Sequence, residues 1–331
     1  MKAIYLVQSK PTLNAVYAQS LRDELSAHYG EMLVLSKNEL EANLDALRDT
    51  EFIFSTWTMP SLSEDEIAHY FPSLRAVFYG AGSVQGFARP FLNRGIAVHS
   101  AWAANGVPVA EYTVAQIILA NKGFFTNQIW CKRDRSVCGS ITTNHRGNYG
   151  CSVGLIGCGM IGSIVAEMLK SYNLKVLAFD PFLSPERAEA LGVTMVDLPT
   201  MFSECTVISN HLANNAQTRG MLDYSLFSRM GAHATFINTG RGAQIVEDDL
   251  VRALTEVPTR VALLDVTDPE PPRADSPFFS MENIILTSHI AGSQQDEFYR
   301  MSEYMRDEAY AFEQGQPTRY GVTLKMLETM A

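Results

Sequence analysis

The stretch that decides the fold is Val153-Gly154-Leu155-Ile156-Gly157-Cys158-Gly159-Met160-Ile161-Gly162. Its last six residues have the pattern G-x-G-x-x-G. The pattern follows a short apolar run, Val153–Ile156, that predicts a β-strand, and it opens a predicted helix, Ile161–Leu169. A lone match carries little information, whereas a match between a strand and a helix is typical of a dinucleotide-binding turn. A strand–turn–helix unit without a ligand is the alternative explanation.

In such a turn each glycine has a separate physical role. Gly157 permits the tight turn, Gly159 lets the backbone approach a pyrophosphate, and Gly162 lets the helix pack closely against the strand. The amides of Met160 and Ile161 are expected at the helix N-terminus, where the helix dipole favours an anion. The sequence therefore predicts that these residues bind a dinucleotide.

An acidic residue follows at the spacing that this type of turn requires. Asp180 ends the next predicted strand and lies eighteen residues after Gly162. A carboxylate at this position can accept hydrogen bonds from both ribose hydroxyls, and its charge would repel a 2′-phosphate. We therefore expect NAD rather than NADP, and the sequence leaves the strictness of that preference open.

Strands and helices alternate along the chain. In the first hundred residues the apolar runs predict five strands, namely Ala3–Val7, Met32–Leu35, Glu51–Thr56, Arg75–Tyr79 and Ala97–His99. A second alternation predicts six more, namely Ser152–Ile156, Lys175–Phe179, Val207–Asn210, Thr235–Asn238, Arg260–Val266 and Asn283–Thr287. This alternation favours parallel sheets with helices on both faces, and the six later strands match a complete dinucleotide-binding sheet.

The predicted helices follow from apolar residues at helical spacing and from capping residues. In order, they cover Leu13 to the C-capping Gly30, the segment Leu40–Leu47, a helix opened by the capping box of Ser63 and Glu66, a long apolar helix over Pro108–Phe125, and a last helix from Ser293. Residues 131–150 are polar and are expected to form a loop.

Composition narrows the class of protein. The 331 residues correspond to about two domains, and an apolar share of 47% allows a core in each and excludes dominant disorder. The net charge of −10, without a long basic stripe, argues against nucleic acid as a partner.

Cysteine usage and the apolar stretches indicate the compartment. The five cysteines are odd in number, their spacing does not fit a zinc site, and the apolar run after Lys2 is too short for a signal peptide. We therefore expect reduced thiols, a cytoplasmic protein and no metal. The uncharged stretch Gly147–Ala166 is long enough to cross a bilayer, but its six glycines serve the turn described above, so no membrane span is expected.

Three later segments each follow a predicted strand of the second alternation. They are Asn238-Thr239-Gly240-Arg241-Gly242, the run from Asp265 to Glu270, and Thr287-Ser288-His289-Ile290-Ala291-Gly292. Ligands of open α/β sheets bind at the carboxyl ends of the strands. Together the segments could therefore present an arginine, a carboxylate and a histidine to one crevice.

Hydride exchange with a 2-keto acid requires these three types of group. An arginine holds the substrate carboxylate and polarises the carbonyl through a two-pronged hydrogen bond. A histidine protonates the oxygen as hydride arrives, and a neighbouring carboxylate orients the histidine and favours its protonated form. Each residue taken alone has an ordinary explanation. Arg241 could be a solvated loop cation, Glu270 a solvated carboxylate, and His289 a core histidine. Their joint position after a dinucleotide motif argues against that explanation.

With these motifs in order, the chain resembles the D-isomer-specific 2-hydroxyacid dehydrogenase family over nearly its whole length. The motifs are Gly80-Ala81-Gly82-Ser83-Val84, the turn at 154–162, the segment 238–242, and the run Asp265…Glu270…His289. The resemblance implies that Arg241 binds the substrate, that Glu270 partners His289, and that His289 is the acid/base.

The resemblance also implies further contacts. Thr239 and Asp265 would lie near the nicotinamide, and His211, Thr218 and Gly292 would add cofactor contacts. The amides of Gly82, Ser83 and Val84 would bind the substrate carboxylate, and glycines allow the close approach that such a backbone site needs.

The chain departs from the family pattern at three places. Ser288 stands before the histidine where the family usually has proline, and Gly240 stands where alanine is common. The segment 211–218 lacks the usual prolines around the adenosine.

The resemblance also implies the domain organisation. The expected fold class is α/β, with two Rossmann-like doubly wound parallel-sheet domains. The NAD-binding domain, residues 104–292, is inserted into a flavodoxin-like substrate domain formed by residues 1–103 and 293–331. Two hinges, near Ser100–Pro108 and Ala291–Gln295, would allow closure that expels water. The family usually dimerises through the region of Pro108–Phe125, so a homodimer is expected.

The sequence therefore predicts an NAD-dependent oxidoreductase that reduces a small 2-keto acid to the D-2-hydroxy acid. Hydroxypyruvate, glyoxylate and aliphatic keto acids remain open as substrates, and so does the physiological direction of the reaction. The segments of the first sheet carry no extra basic cluster that would indicate a phosphorylated substrate. Trp57, Tyr79 and Trp102 are either pocket walls or core aromatics. Two alternatives stay open, namely an NAD-responsive scaffold that recruits proteins, and hydride transfer from another small anion such as formate or phosphite.

Overall fold

The computed structural model describes residues 2–139 and 144–328, and the chain divides into two compact units. Unit 1 is formed by the chain up to Asn105 and from Ser293 onward, and unit 2 is formed by Gly106–Gly292. Each unit contains a mainly parallel sheet with helices, so the predicted α/β fold class is confirmed.

The strands of the described residues are, in chain order, β1 Ala3–Leu6, β2 Val34–Leu35, β3 Phe52–Ser55, β4 Ala76–Tyr79, β5 Ala97–Ser100, β6 Tyr149–Ile156, β7 Asn173–Phe179, β8 Thr194–Met195, β9 Val207–Asn210, β10 Thr235–Asn238, β11 Val261–Leu264, β12 Ile284–Leu286 and β13 Gly321–Val322. The helices are α1 Lys10–Val16, α2 Gln19–Tyr29, α3 Leu44–Leu47, α4 Glu64–Tyr70, α5 Ala88–Asn93, α6 Trp102–Asn121, α7 Phe124–Arg133, α8 Met160–Leu169, α9 Pro185–Leu191, α10 Leu198–Glu204, α11 Tyr224–Phe227, α12 Glu247–Glu256 and α13 Glu297–Glu313.

The sheet of unit 1 has the strand order β13-β5-β4-β3-β1-β2, and β13 is antiparallel to its neighbour. The five parallel strands follow the flavodoxin-like order 2-1-3-4-5. Alternate residues of β1 enter opposite cores, because side chains alternate across a strand. Ala3 and Tyr5 pack with α1, α2 and α13, whereas Ile4 and Leu6 pack with α4 and α5.

The sheet of unit 2 is entirely parallel, with the order β8-β7-β6-β9-β10-β11-β12. Taking β6 as the first strand, this is the doubly wound order 3-2-1-4-5-6 with one further strand. Apolar clusters cover both faces, which is why the strands are continuous hydrophobic runs. The order in which strands are added to the sheet reverses between β6 and β9, and open α/β sheets bind ligands at such a point.

Several predicted helices have different bounds in the structure. The single helix expected from Leu13 to Gly30 is two helices that break at Tyr17–Ala18, and most of Leu40–Leu47 is two short 3₁₀ turns before α3. The break leaves Tyr17 fully buried, with its hydroxyl donating to the carbonyl of Ser55. The last helix begins at Glu297 rather than Ser293, whereas the capping box of Ser63 and Glu66 is confirmed.

The long apolar helix and the expected loop after it also differ. α6 already begins at Trp102 and ends at Asn121, and α7 follows after Gly123, whose φ of +70° suits glycine. The expected loop over residues 131–150 contains the end of α7, a 3₁₀ turn and the start of β6, and its residues 140–143 lie outside the described residues. Within the described ranges, no helix is both long and apolar enough to span a membrane.

A buried histidine–carboxylate contact holds the last helix of unit 1 to its sheet. Glu308 of α13 contacts His99 of β5 at 2.7 Å between Oε2 and Nδ1, and both side chains are at most 5% exposed. Its oxygens also accept the amides of Arg319 and Tyr320, at 2.8 and 3.0 Å, immediately before β13. One carboxylate therefore binds the buried His99 ring and two partly buried amides.

We predict that Glu308→Ala lowers the free energy of unfolding by about 3–5 kcal/mol, because it leaves the buried His99 ring and two partly buried amides without their acceptor. Urea denaturation of the full chain measures this. The matched control is Glu303→Ala on the exposed side of the same helix, which should change the value by less than about 0.5 kcal/mol. Equal effects of the two substitutions would contradict the prediction.

Candidate active site

The candidate site of unit 2 lies at the carboxyl ends of five neighbouring strands, which form one row across the parallel sheet. The last residues of five neighbouring strands are register partners, namely Ile156, Asn210, Asn238, Leu264 and Leu286. The residues that follow them are Gly157, His211, Thr239, Asp265 and Thr287. The segments selected from the sequence of unit 2 therefore leave the same edge of the sheet at the same level.

The glycine-rich turn has the geometry that the motif predicts. Gly157 has φ +90°, and a Cβ on Gly162 would lie 2.0 Å from the carbonyl oxygen of Gly157, so neither position accepts a side chain. A Cβ on Gly159 would meet no atom within 4 Å, which leaves open space where a ligand can approach. Helix α8 begins after Gly159 without a side-chain cap.

The first amides of α8 are available to an anion. Among the described residues, no acceptor is found for the N–H groups of Met160 and Ile161. Asp180, directly after β7, accepts the amide of Cys158 at 2.8 Å and the amide of Phe182 at 2.8 Å. Asp180 therefore fixes the turn through its carboxylate, which retains lone pairs for further donors. These residues fit a dinucleotide.

The segment after β9 packs against the turn. A Cβ on Gly157 would lie 2.9 Å from the carbonyl oxygen of His211. The Nε2 atom of His211 is 3.0 Å from the Ser209 hydroxyl, and burial lowers the pKa of His211 to about 4, so the ring is neutral at neutral pH. Thr218 bonds within its own loop, where its hydroxyl donates to the carbonyl of Ala213 at 2.6 Å.

The segment after β10 carries Arg241, which is half-buried. Its guanidinium donates to the carbonyl of Gly240 at 2.7 Å. Thr239 is buried, with its hydroxyl 3.4 Å from that of Thr113. Beneath this segment lie Asn210 and Gln244, two fully buried polar residues that are not among the predicted site residues. A sequence signal for Asn210 is the polar residue that closes an apolar strand on two neighbouring strands, at Asn210 and Asn238, and this signal does not indicate Gln244.

Asp265 holds the segment that carries His289. It is 3% exposed, and its carboxylate accepts the Thr287 hydroxyl at 2.6 Å and the amides of Ile290 and Ala291, both at 2.9 Å. Its carbonyl also accepts the amide of His289 at 3.0 Å. The family resemblance implies a cofactor contact for Asp265, and the structure adds this network within the protein. Gly292 directly follows the segment and is half-buried.

His289 and Glu270 are in contact. The His289 Nδ1 atom is 2.7 Å from Glu270 Oε1, and the two side chains are 48% and 40% exposed. His289 has φ +59°, a left-handed conformation that is uncommon outside glycine and often marks functional sites. With Nδ1 bound to the carboxylate, Nε2 is the ring atom free to exchange a proton with a ligand.

In unit 1, the segment Gly80–Val84 follows β4. The Ser100 hydroxyl donates to the carbonyl groups of Ala81 and Gly82, at 2.9 and 2.6 Å. No acceptor is found in the described part of the chain for the amides of Gly82, Ser83 and Val84. A Cβ on Gly82 would meet nothing within 4 Å, so these three successive amides fit a small anion.

The three aromatic residues of unit 1 that the sequence left open differ in their surroundings. Tyr79 is buried in the core, and its ring centroid lies 4.8 Å from that of Phe87. Trp102 is half-buried. Trp57 is 46% exposed and has an edge-to-face contact with Phe298 at 5.1 Å. Tyr79 is therefore a core aromatic, whereas Trp57 presents an apolar surface.

Two curated relatives of the chain are both named as enzymes of oxidation or reduction. The D-3-phosphoglycerate dehydrogenase of Archaeoglobus fulgidus is 30% identical over 246 residues, which are 71% of this chain and 44% of that protein. The glyoxylate reductase of Korarchaeum cryptofilum is 31% identical over 168 residues, which are 51% of each. The alignments thus span about half the length of these curated relatives.

A solved structure shows the same fold. A phosphoglycerate oxidoreductase from Rhizobium etli superposes with a TM-score of 0.80 at 22% identity, covering 96% of each chain. The profile described as "D-isomer specific 2-hydroxyacid dehydrogenase, NAD binding domain" matches residues 114–291, more than half of the chain. The chain therefore belongs to the D-isomer-specific 2-hydroxyacid dehydrogenase family, as its motifs predicted, and its NAD-binding domain lies within unit 2.

Proposed function

We propose that the protein is an NAD-dependent oxidoreductase that reduces a small, unphosphorylated 2-keto acid to the D-2-hydroxy acid. The observation that carries the proposal is the 2.7 Å contact between His289 and Glu270, on the sheet edge that also carries the glycine-rich turn and Arg241. A histidine paired with a carboxylate beside a dinucleotide site is the arrangement that reversible proton transfer to a carbonyl oxygen requires.

Each residue has a separate role in this proposal. The amides of Met160 and Ile161 bind the pyrophosphate, and the Asp180 carboxylate binds the ribose. The nicotinamide end of the cofactor is lined by Thr239, Asp265 and Gly292. The adenosine end is lined by His211 and Thr218. Bound NADH supplies the hydride. His289 protonates the carbonyl oxygen through Nε2, and Glu270 orients the ring and stabilises its charge. Arg241 binds the substrate carboxylate and polarises the carbonyl.

We also assign the amides of Gly82, Ser83 and Val84 to the substrate carboxylate, because three free successive amides favour an anion. Their glycine-rich backbone carries no positive side chain of its own, which suits a carboxylate better than a phosphorylated substrate.

The apolar surface of α6, with Leu119 39% exposed, supports a homodimer.

The first prediction from the proposed function concerns the activity itself. With NADH, the protein should reduce at least one of glyoxylate, hydroxypyruvate and the aliphatic 2-keto acids from three to six carbons, and NADPH should support a lower rate because Asp180 repels the 2′-phosphate. Absorbance at the nicotinamide band measures both. Parallel assays with NAD and formate or phosphite test the other anions. Activity only with those anions, or no NADH oxidation across the panel, would refute the proposed reaction.

The second prediction concerns the acid/base pair. Glu270→Gln should lower kcat for keto-acid reduction about 100-fold, because an amide orients the ring but does not stabilise its positive charge. The pH dependence of the remaining activity should also change, because the carboxylate that partners the ring is gone. The control is Glu189→Gln on the exposed part of α9, which should leave both quantities unchanged. A pH profile identical to that of the unsubstituted protein would count against the pair.

The third prediction concerns substrate binding. Arg241→Lys should raise KM for the keto acid about 10- to 100-fold, because an ammonium cannot form the two-pronged bond of a guanidinium. The Kd for NADH, measured by fluorescence, should change less than about twofold. Arg229→Lys, at an exposed position of the same unit, is the matched control. An unchanged KM would remove Arg241 from the substrate site.

A further inference from the structure

A cluster of three buried amide side chains lies beneath the Arg241 segment. Asn210 ends β9, Asn238 ends β10, and Gln244 ends the 3₁₀ turn that follows Arg241. All three are 0% exposed. We call them the amide cluster. Burying three amides is unfavourable unless their polar atoms are paired, so the pairing shows what the cluster holds in place.

The amides bond to one another in a chain. Asn210 and Asn238 are register partners, and Asn210 Nδ2 donates to Asn238 Oδ1 at 3.0 Å. The same Nδ2 atom donates to Gln244 Oε1 at 2.6 Å. Each side chain therefore fixes the orientation of the next, and Gln244 is the member that comes from outside the strands.

Three further bonds of the cluster go to the main chain of the Arg241 segment. Gln244 Oε1 accepts the amide of Arg241 at 3.1 Å, and Asn238 Nδ2 donates to its carbonyl at 3.2 Å. Asn238 Oδ1 also accepts the amide of Gly240 at 3.1 Å. Arg241 is thus held on both sides of its Cα, which determines where its side chain starts.

The cluster also reaches the glycine-rich turn. Gln244 Nε2 donates to the carbonyl of Leu212 at 2.7 Å, and Asn210 Oδ1 accepts the Leu212 amide at 3.3 Å. The His211–Leu212 backbone lies directly against Gly157, where a Cβ would be 2.9 Å from the His211 carbonyl oxygen. One side chain, Gln244, therefore connects the segment that packs on the dinucleotide turn to the segment that carries Arg241.

Gln244 also explains a departure of this chain from its family. A Cβ on Gly240 would lie 2.7 Å from Gln244 Oε1 and 3.0 Å from Asn210 Nδ2. An alanine at position 240, common in the family, would displace the Gln244 amide from both of its acceptor bonds. Gly240 and Gln244 are therefore a complementary pair, because the glycine leaves the space that the glutamine amide fills.

We propose that Gln244 is a positioning residue that holds Arg241 for the substrate and couples Arg241 to the cofactor turn. The role assigned to Arg241 rests on the proposed function, whereas the coupling to the cofactor turn does not. Gln244→Leu removes all three hydrogen bonds of this side chain and keeps an apolar group of similar width. KM for the keto acid should rise about tenfold, and kcat/KM should fall about 10- to 100-fold, because small misplacements of binding groups have effects of this size.

A double-mutant cycle separates positioning from general destabilisation. If Gln244 acts through Arg241, Gln244→Leu should raise KM about tenfold alone but less than about twofold in the Arg241→Lys background. The structural control is Asn121→Leu, which also deletes a buried amide of unit 2, one that bonds Thr206 and Asn148 far from the row of strand ends. It should lower the melting temperature without changing KM. Equal factors for Gln244→Leu in both backgrounds would overturn the proposal.

The complementary pair gives a second test that does not depend on Gln244→Leu being fully stable. Gly240→Ala alone should lower kcat/KM at least about tenfold, and Gly240→Ala combined with Gln244→Leu should lose no more than Gln244→Leu alone, since the 2.7 Å approach to Gln244 Oε1 is then absent. Losses that multiply would show that the two residues act independently and would overturn the pairing.

A binding assay distinguishes failure of this inference from failure of the proposed function. If the unsubstituted protein reduces no 2-keto acid, the proposed reaction fails, and NADH titration by fluorescence then decides the present inference. Gln244→Leu should weaken NADH binding about fivefold through the Leu212 segment, and Asn121→Leu should not change it. If the unsubstituted protein is active and Gln244→Leu changes neither KM nor the Kd for NADH, the inference is wrong.

Discussion

The buried carboxylate of Asp265 is the interaction on which the geometry around His289 depends. Each hydrogen bond to a charged acceptor contributes about 1.5–3 kcal/mol in a protein interior, and Asp265 accepts three of them from the segment 287–291. That energy exceeds the cost of about 1–3 kcal/mol for holding His289 at a positive φ. The left-handed residue is tolerated because its neighbours on both sides are bonded to one buried acceptor, and the ring then meets Glu270.

The same edge of the sheet collects the other groups because parallel register is strict. A slip of one residue would turn every side chain of a strand to the opposite face, which apolar packing on both faces forbids. The register partners Ile156, Asn210, Asn238 and Leu264 therefore fix the starting points of four loops at once. The chemistry of the site lies in the loops, and their relative placement within unit 2 is set by the buried strands.

The sequence predicted the strands well because most are apolar on both faces and end at a polar residue or a glycine. It failed where the pattern carried too little information. The apolar spacing continues across Tyr17–Ala18, so nothing in it marks the break between α1 and α2, and β8 and β13 have two residues each, too few for any periodicity. The triad of Arg241, Glu270 and His289 came from motifs, but the amide cluster did not, because its bonds join residues 28 and 34 positions apart. Such pairings are visible only in three dimensions.

The outermost strands of both sheets are very short, which affects how readily another protein chain could pair with the sheets. The end strands β2, β8 and β13 have two residues each, and β12 has three. A sheet edge exposes unpaired N–H and C=O groups that can template pairing with a strand of another molecule, and long, flat edges do so most readily. The interior strands of this protein are four to eight residues long and strongly apolar. Each short end strand covers part of the longer apolar strand beside it, which reduces the length of apolar strand edge that another chain could pair with.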